Sequence, residues 1–235
     1  MKYLVRAVFL LLAATTLARA ADLSPARATP DPMNPMKYSW TGCYLGVSLG
    51  GNFANSTNNL TLFGMAATGA TTFGGGSAGG QAGCNFETPN NLVYGFEVDG
   101  QAGFPIQFGT AITALGAVTN SLPVFGTFRG RIGYAPVSNV LLYVTGGGGI
   151  GLEAVALTQG TMANPITQVS TQTRGLWTVG AGVESAIYGN WTAKVEYLYT
   201  ATGTTTANFN VMGIPSTVTT KLNDSVVRVG VNYRF

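Results

Sequence analysis

The last twelve residues, DSVVRVGVNYRF (224–235), alternate strictly between two unlike faces. Val227, Val229, Val231, Tyr233 and Phe235 share one parity, and Arg228, Gly230, Asn232 and Arg234 share the other. That two-residue repeat is the signature of a β-strand with one apolar and one polar face. A soluble sandwich would turn the apolar face inward; a membrane barrel would turn it outward. One strand cannot decide between them, but seven further segments carry the same pattern.

These segments are 41–53, 73–86, 92–104, 124–134, 140–153, 175–187 and 191–200. In the third, Leu92, Tyr94, Phe96, Val98, Ala102 and Phe104 oppose Glu97, Asp99 and Gln101; in the fourth, Phe128, Ile132 and Tyr134 oppose Arg129 and Arg131. Every charged residue in the eight segments lies on the parity of the small and polar residues. The connections alternate as well. ETPNN, APVSN and YGN are tight turns, whereas 54–72, 105–121, 154–173 and 202–223 read as long loops. Short turns on one side and long loops on the other are the habit of outer-membrane barrels. Strands of this length, tilted by about 40°, cross roughly 25 to 30 Å of hydrocarbon.

The predicted fold is therefore all-β: an eight-stranded antiparallel up-and-down transmembrane β-barrel with both chain ends at the periplasmic side. A lipocalin-type soluble barrel would also alternate, but with a polar exterior. Charged residues are only 9% of the chain, against roughly 25% in soluble domains. That composition disfavours the soluble form.

Residues 1–20 have Lys2 and Arg6 ahead of a short apolar run and close on Ala18-Arg19-Ala20, the pattern of a cleaved signal peptide. Residues 21–39, with Pro25, Pro30, Pro32 and Pro35, read as a Pro-rich flexible leader, which leaves 40–235 for the barrel. The full chain has 12 basic and 9 acidic residues; without Lys2, Arg6 and Arg19 the balance is even. Nothing in that balance points to nucleic acid as a partner.

The chain has no histidine, which removes His-based triads and imidazole metal sites. GGGGIG (146–151) matches a dinucleotide-binding pattern formally but lies in a strand with no helix after it. No enzyme activity, cofactor or metal site is expected. The chemistry-bearing set is instead the inward charges: Glu97, Asp99, Arg129, Arg131, Glu153, Glu184, Lys194, Glu196, Arg228 and Arg234. An eight-stranded barrel has an interior just wide enough to be filled by side chains, and charges removed from water must pair. The reading is an ion-pair plug, with Glu97 and Asp99 facing Arg129 and Arg131, and Lys194 and Glu196 facing Arg228 and Arg234. The alternatives are a narrow pore lined by the same residues and, least favoured, paired carboxylates acting as a hydrolase.

Trp40, Trp177, Trp191, Tyr199 and Tyr233 fall near strand ends, as interfacial aromatic girdles do. Cys43 and Cys84 are the only cysteines. If their strands form a hairpin, they share the outward face at similar height, and the choice lies between a cross-strand disulfide and two free thiols facing lipid. The long loops carry almost no charge and suit surface epitopes or adhesive contacts, without indicating a ligand.

The segments YSWTGCYLGVSLGG, GGQAGCNF, VYGFEVDGQ, GTFRGRIGYA, LLYVTGGGGIG, WTVGAGVE, NWTAKVEYLY and VRVGVNYRF together resemble the small outer-membrane barrels of Gram-negative bacteria. These include porin-family and outer-membrane immunogenic proteins, similar in architecture to the OmpA transmembrane domain and the Opa adhesins. The resemblance implies an outer-membrane location, contact with lipid and lipopolysaccharide, and an assembly signal in Tyr233 and Phe235 read by the outer-membrane assembly machinery. It implies no disulfide, because the family more often has aromatics at the two cysteine positions. It does not fix an oligomeric state.

Overall fold

A computed structural model describes residues 38–235, apart from 63, 104–108, 114–115, 162–163 and 212–213. The signal-peptide reading of 1–20 and most of the Pro-rich leader lie outside the described residues. The packed unit begins at Tyr38, two residues before the expected boundary.

The described residues form ten strands: β1 Gly42–Leu62, β2 Met65–Glu87, β3 Leu92–Gly103, β4 Gly109–Thr113, β5 Gly116–Val137, β6 Val140–Thr161, β7 Asn164–Tyr188, β8 Trp191–Thr202, β9 Thr205–Val211 and β10 Ile214–Arg234. Eight of them close a ring in the order β1-β2-β3-β5-β6-β7-β8-β10, with β10 pairing back onto β1 from Tyr44↔Arg234 to Leu62↔Ser216. Every pairing is antiparallel. The eight-stranded barrel is thus the fold, and closure leaves no unpaired edge at membrane depth.

Side chains sort by parity as the alternation requires. Leu49, Val229, Val195 and Val183 form one continuous outward row across β1, β10, β8 and β7, while Ser48, Glu97, Arg129, Lys194 and Arg228 turn inward. The outer wall is apolar because it meets lipid, and the polar residues supply the core. Tight turns at 88–91, 138–139 and 189–190 mark the periplasmic end. Asn91 and Gly189 adopt positive φ there (61° and 53°), which turns of this length require.

Among the described residues, the four connections expected to be long loops are mostly strand. Strands β1 and β2 run on over 54–62 and 65–72, β4 and β5 cover 109–113 and 116–121, β6 and β7 run on over 154–161 and 164–173, and β9 and β10 cover 205–211 and 214–223. The sequence pattern lost them for a physical reason. Beyond the hydrocarbon, the outward face meets water and becomes Thr and Asn, so the apolar repeat fades while the extended backbone continues.

In this outer part the ring divides. β2 loses β3 above Ser77↔Gly103, and β7 loses β8 above Leu176↔Thr202. Two four-stranded sheets remain, β9-β10-β1-β2 and β4-β5-β6-β7. Leu60, Ala207, Phe209 and Val218 from the first form a buried apolar cluster with Val118, Val155 and Leu157 from the second. A register shift between Ser121 and Val124, at Pro123, lets both Val118 and Phe125 face inward despite their opposite parity.

Candidate functional site

The inward charges converge at mid-height. Glu97 and Asp99 stand on β3, Arg129 and Arg131 on β5, Glu184 on β7, Lys194 and Glu196 on β8, and Arg228 on β10. All eight are buried, four acids against four bases, so the group carries no net charge. Glu97 lies directly opposite Arg129, and Glu196 directly opposite Arg228, in the strand register. Arg129 reaches Glu97, Asp99 (3.0 Å) and Glu196 (3.2 Å). Arg228 reaches Glu196 at 2.6 Å, Asp99 at 3.1 Å and Glu97 at 3.2 Å. Lys194 Nζ spans the lumen to Glu97 Oε2 at 2.7 Å.

Arg131 departs from the expected pairing. Its Nη2 donates to Glu184 (2.8 Å) and its Nη1 to Tyr44 Oη (3.0 Å), with Glu97 only at 3.8 Å. Its guanidinium lies 3.9 Å from the centre of the Tyr143 ring. The two tyrosine hydroxyls donate back into the network, Tyr44 to Glu97 at 2.7 Å and Tyr143 to Glu196 at 3.0 Å. Two inward glycines make room for these rings: a Cβ at Gly83 would come within 2.5 Å of Tyr44 Oη, and one at Gly182 within 2.5 Å of Tyr143. Thr192 (2.6 Å) and Asn232 (2.8 Å) donate to Glu184, and Thr127 donates to Asp99. Charge-assisted bonds of this density offset desolvation that an isolated ion pair could not.

Two of the ten expected network residues sit elsewhere. Glu153 pairs with Arg174 near the outer end, apart from the eight. Arg234 is not in the lumen. It is half-buried at the periplasmic rim, where its guanidinium donates to the carbonyls of Ser39 and Thr41 (2.7 Å to the latter) and lies 4.7 Å from the Tyr38 ring centre. As the penultimate residue of the chain it is level with the mouth, below the lumen. Arg174 and Asp224, both buried and inward, were missed. Arg174 stands one residue before the segment read as a strand, on its polar parity, and that parity was the signal available. Asp224 accepts from Asn52 at 2.9 Å.

Trp40 also departs from expectation. It is 0% exposed and plugs the periplasmic mouth instead of facing the interface. Gly42, at φ +144°, bends the chain at the start of β1, and a side chain there would be strained. The indole packs with Val93, Ala135, Leu141 and Tyr143, and its Nε1 donates to Ser138 O at 3.1 Å. Burial against this stopper raises the Tyr38 hydroxyl above its ordinary pKa, with Arg234 opposing. Trp177, Trp191 and Tyr233 face outward, and Trp177–Tyr199 and Trp191–Tyr233 form ring pairs with centroids 5.7 and 5.1 Å apart. Phe235 lies beside Tyr233, also exposed. Cys43 and Cys84 are register partners joined as a disulfide, with Cα atoms 3.9 Å apart.

The lumen therefore holds an apolar stopper, a neutral charge network, and an apolar cluster between the outer sheets. The sequence relationships agree with this architecture. A model of the outer membrane protein beta-barrel domain matches residues 7–235. The chain belongs to this outer-membrane β-barrel family. Family relatives include the 31 kDa outer-membrane immunogenic protein of Brucella melitensis, 33% identical over 94% of each chain. The 25 kDa outer-membrane immunogenic protein of Brucella abortus is 31% identical over 99% of this chain and 96% of its own. The crystal structure of OprG from Pseudomonas aeruginosa shares the fold, with a TM-score of 0.52 at 11% identity over 86% of this chain and 99% of its own. This family member is accordingly an outer-membrane protein, and the two Brucella relatives are named as outer-membrane immunogenic proteins.

Proposed function

We propose that the protein is a non-conducting outer-membrane barrel that acts as a structural element and displays its outer sheets at the cell surface. One observation carries this reading: four acids and four bases, all buried, bond to one another across the lumen at one level. A conducting path needs groups that an ion can visit and leave, whereas these satisfy each other. Trp40 at one end and the Leu60–Phe209–Leu157 cluster at the other add to the closure. The outer sheets are the part exposed to antibodies, in keeping with the immunogenic relatives. Lipid and lipopolysaccharide are the partners of the apolar wall, and the Tyr233–Phe235 end of β10 is the segment offered to the assembly machinery.

Planar-bilayer recording of the refolded mature chain, beside R129A/R131A, tests the reading. Silence from the wild type, after its folded state is verified by heat-dependent gel mobility, is the expected result. Stable unitary steps whose ion selectivity changes in the variant would instead make the protein a narrow porin lined by these charges.

A further inference from the structure

The edge of β10 that does not pair with β1 carries two strands in succession: β8 on Asn223–Tyr233 and β9 on Ile214–Thr220, with Gly203 and Thr204 between them. β8 also pairs with β7, but β9 does not. Among the described residues, β9 and the Asn164–Gly175 part of β7 therefore face each other across a seam with no backbone ladder.

Two side chains bridge it. Gln168 Nε2 donates to Asn210 O at 2.6 Å, and Gln172 Nε2 approaches Thr206 O at 3.5 Å. Counting from the last ladder pair, Leu176↔Thr202, these contacts fall at successive four-residue steps on both strands. They occupy the places of an antiparallel continuation, with glutamine amides in the role of missing backbone amides. By the two-residue repeat of a strand, Asn208 turns its N–H and C=O to the same side. At the lower end of the seam stand Arg174 and Glu153, 5% and 1% exposed. They pair through Arg174 Nε and Glu153 Oε2, yet among the described residues Arg174 Nη1 and Glu153 Oε1 have no hydrogen-bond partner. Strand β9, TTANFNV, lacks the charges and prolines that commonly guard an exposed edge.

We infer that the β7–β9 seam is a docking slot for an extended, uncharged peptide segment of a partner protein, which adds to β9 as a strand and displaces the glutamine bridges. The observations select a peptide. Carbonyls four residues apart, about 13 Å, with an amide and a carbonyl between them, match the repeat of another backbone. The polar floor lacks both a donor and an acceptor, and a peptide supplies both. A second copy fits poorly. Two barrels inserted in the same sense are related by rotation about the membrane normal, so their β9 strands run parallel and cannot form the antiparallel ladder. This inference does not depend on whether the lumen conducts.

The test uses the refolded full barrel in lipid nanodiscs and a fluorescein-labelled, seven-residue peptide of alternating Thr and Val, the length of β9. Its control is the same peptide N-methylated on alternate amides. The unmodified peptide should bind saturably and the methylated one should not. Q168A/Q172A should bind about tenfold tighter, because two internal competitors are gone. Asn208→Pro, which removes the central amide of the edge, should lose binding. If the double variant fails to fold by gel mobility, Q172A alone should tighten binding about threefold. Equal binding of both peptides, no binding of either, or unchanged affinity in the glutamine variants overturns the proposal. Saturable binding of maltoheptaose in place of the peptide also overturns it and assigns the seam to glycans.

Discussion

Glu97 and Arg129 face each other across the β3–β5 ladder, and each reaches further members of the lumen network. Arg129 extends to Asp99 and Glu196, while Glu97 collects Lys194 and Arg228. Arg129→Met keeps much of the packing volume but leaves three buried carboxylates one partner short. It should destabilise the barrel by about 3–5 kcal/mol, the usual cost of breaking a buried pair from one side. Urea unfolding from lipid vesicles, followed by tryptophan fluorescence, measures this. A loss below about 1 kcal/mol would mean that water reaches the network freely.

Trp40 is one of three tryptophans, and Trp177 and Trp191 face outward. A variant retaining only Trp40 (W177F/W191F) should therefore resist iodide quenching in the folded state and lose that protection on unfolding. Trp40→Ala should cost about 3–5 kcal/mol by emptying the periplasmic stopper. Ready quenching of Trp40 in verified folded protein would place the indole outside the mouth.

Cys43 and Cys84 are bonded across directly paired positions of β1 and β2. The unreduced, denatured protein should titrate no free thiol. C43S/C84S should still form the heat-modifiable barrel, since the β1–β2 register extends from Gly42↔Asn85 to Leu62↔Met65 without the bridge. Its stability should fall by about 2–4 kcal/mol. Two titratable thiols in freshly exported protein would refute the bond.

Val229 lies in the middle of the outward apolar row, beside Leu49 and Val195. Val229→Lys should cost about 2–4 kcal/mol because the ammonium meets hydrocarbon. Thr217→Lys, on the outer β9–β10 hairpin, should change stability by no more than about 0.5 kcal/mol. Vesicle unfolding of the two variants compares them directly. Equal effects would place Thr217 within the bilayer or Val229 outside it.

Much of the site was legible because parity assigns each side chain to one face. Glu97, Asp99, Arg129 and Arg131 alternate with Phe96, Val98, Phe128 and Ile132, and once the turn pattern and low charge content favoured a membrane barrel, that parity sent the charges inward. Adjacent partners such as Glu97–Arg129 and Glu196–Arg228 also follow from strand order. Arg174 escaped because the readable strand was cut at Gly175, while Asp224 lay inside the terminal segment on its inward parity and was simply left out of the charge set. Arg234 and Trp40 were misplaced at the mouth, where parity still sets a direction but cannot say whether any lumen remains at that height.

The sequence by itself determined the strand repeat, the apolar wall, the barrel class and the inward set of charges, because each follows from local alternation and from the absence of water in lipid. Tertiary structure decided which charges meet across the lumen. Lys194 on β8 reaches Glu97 on β3, two strands that share no ladder, only because ring closure and stagger bring them to one height. It also decided that Trp40 turns inward and that the outer strands divide into two facing sheets. Those outcomes depend on the space left after all eight strands have closed, which no single segment encodes.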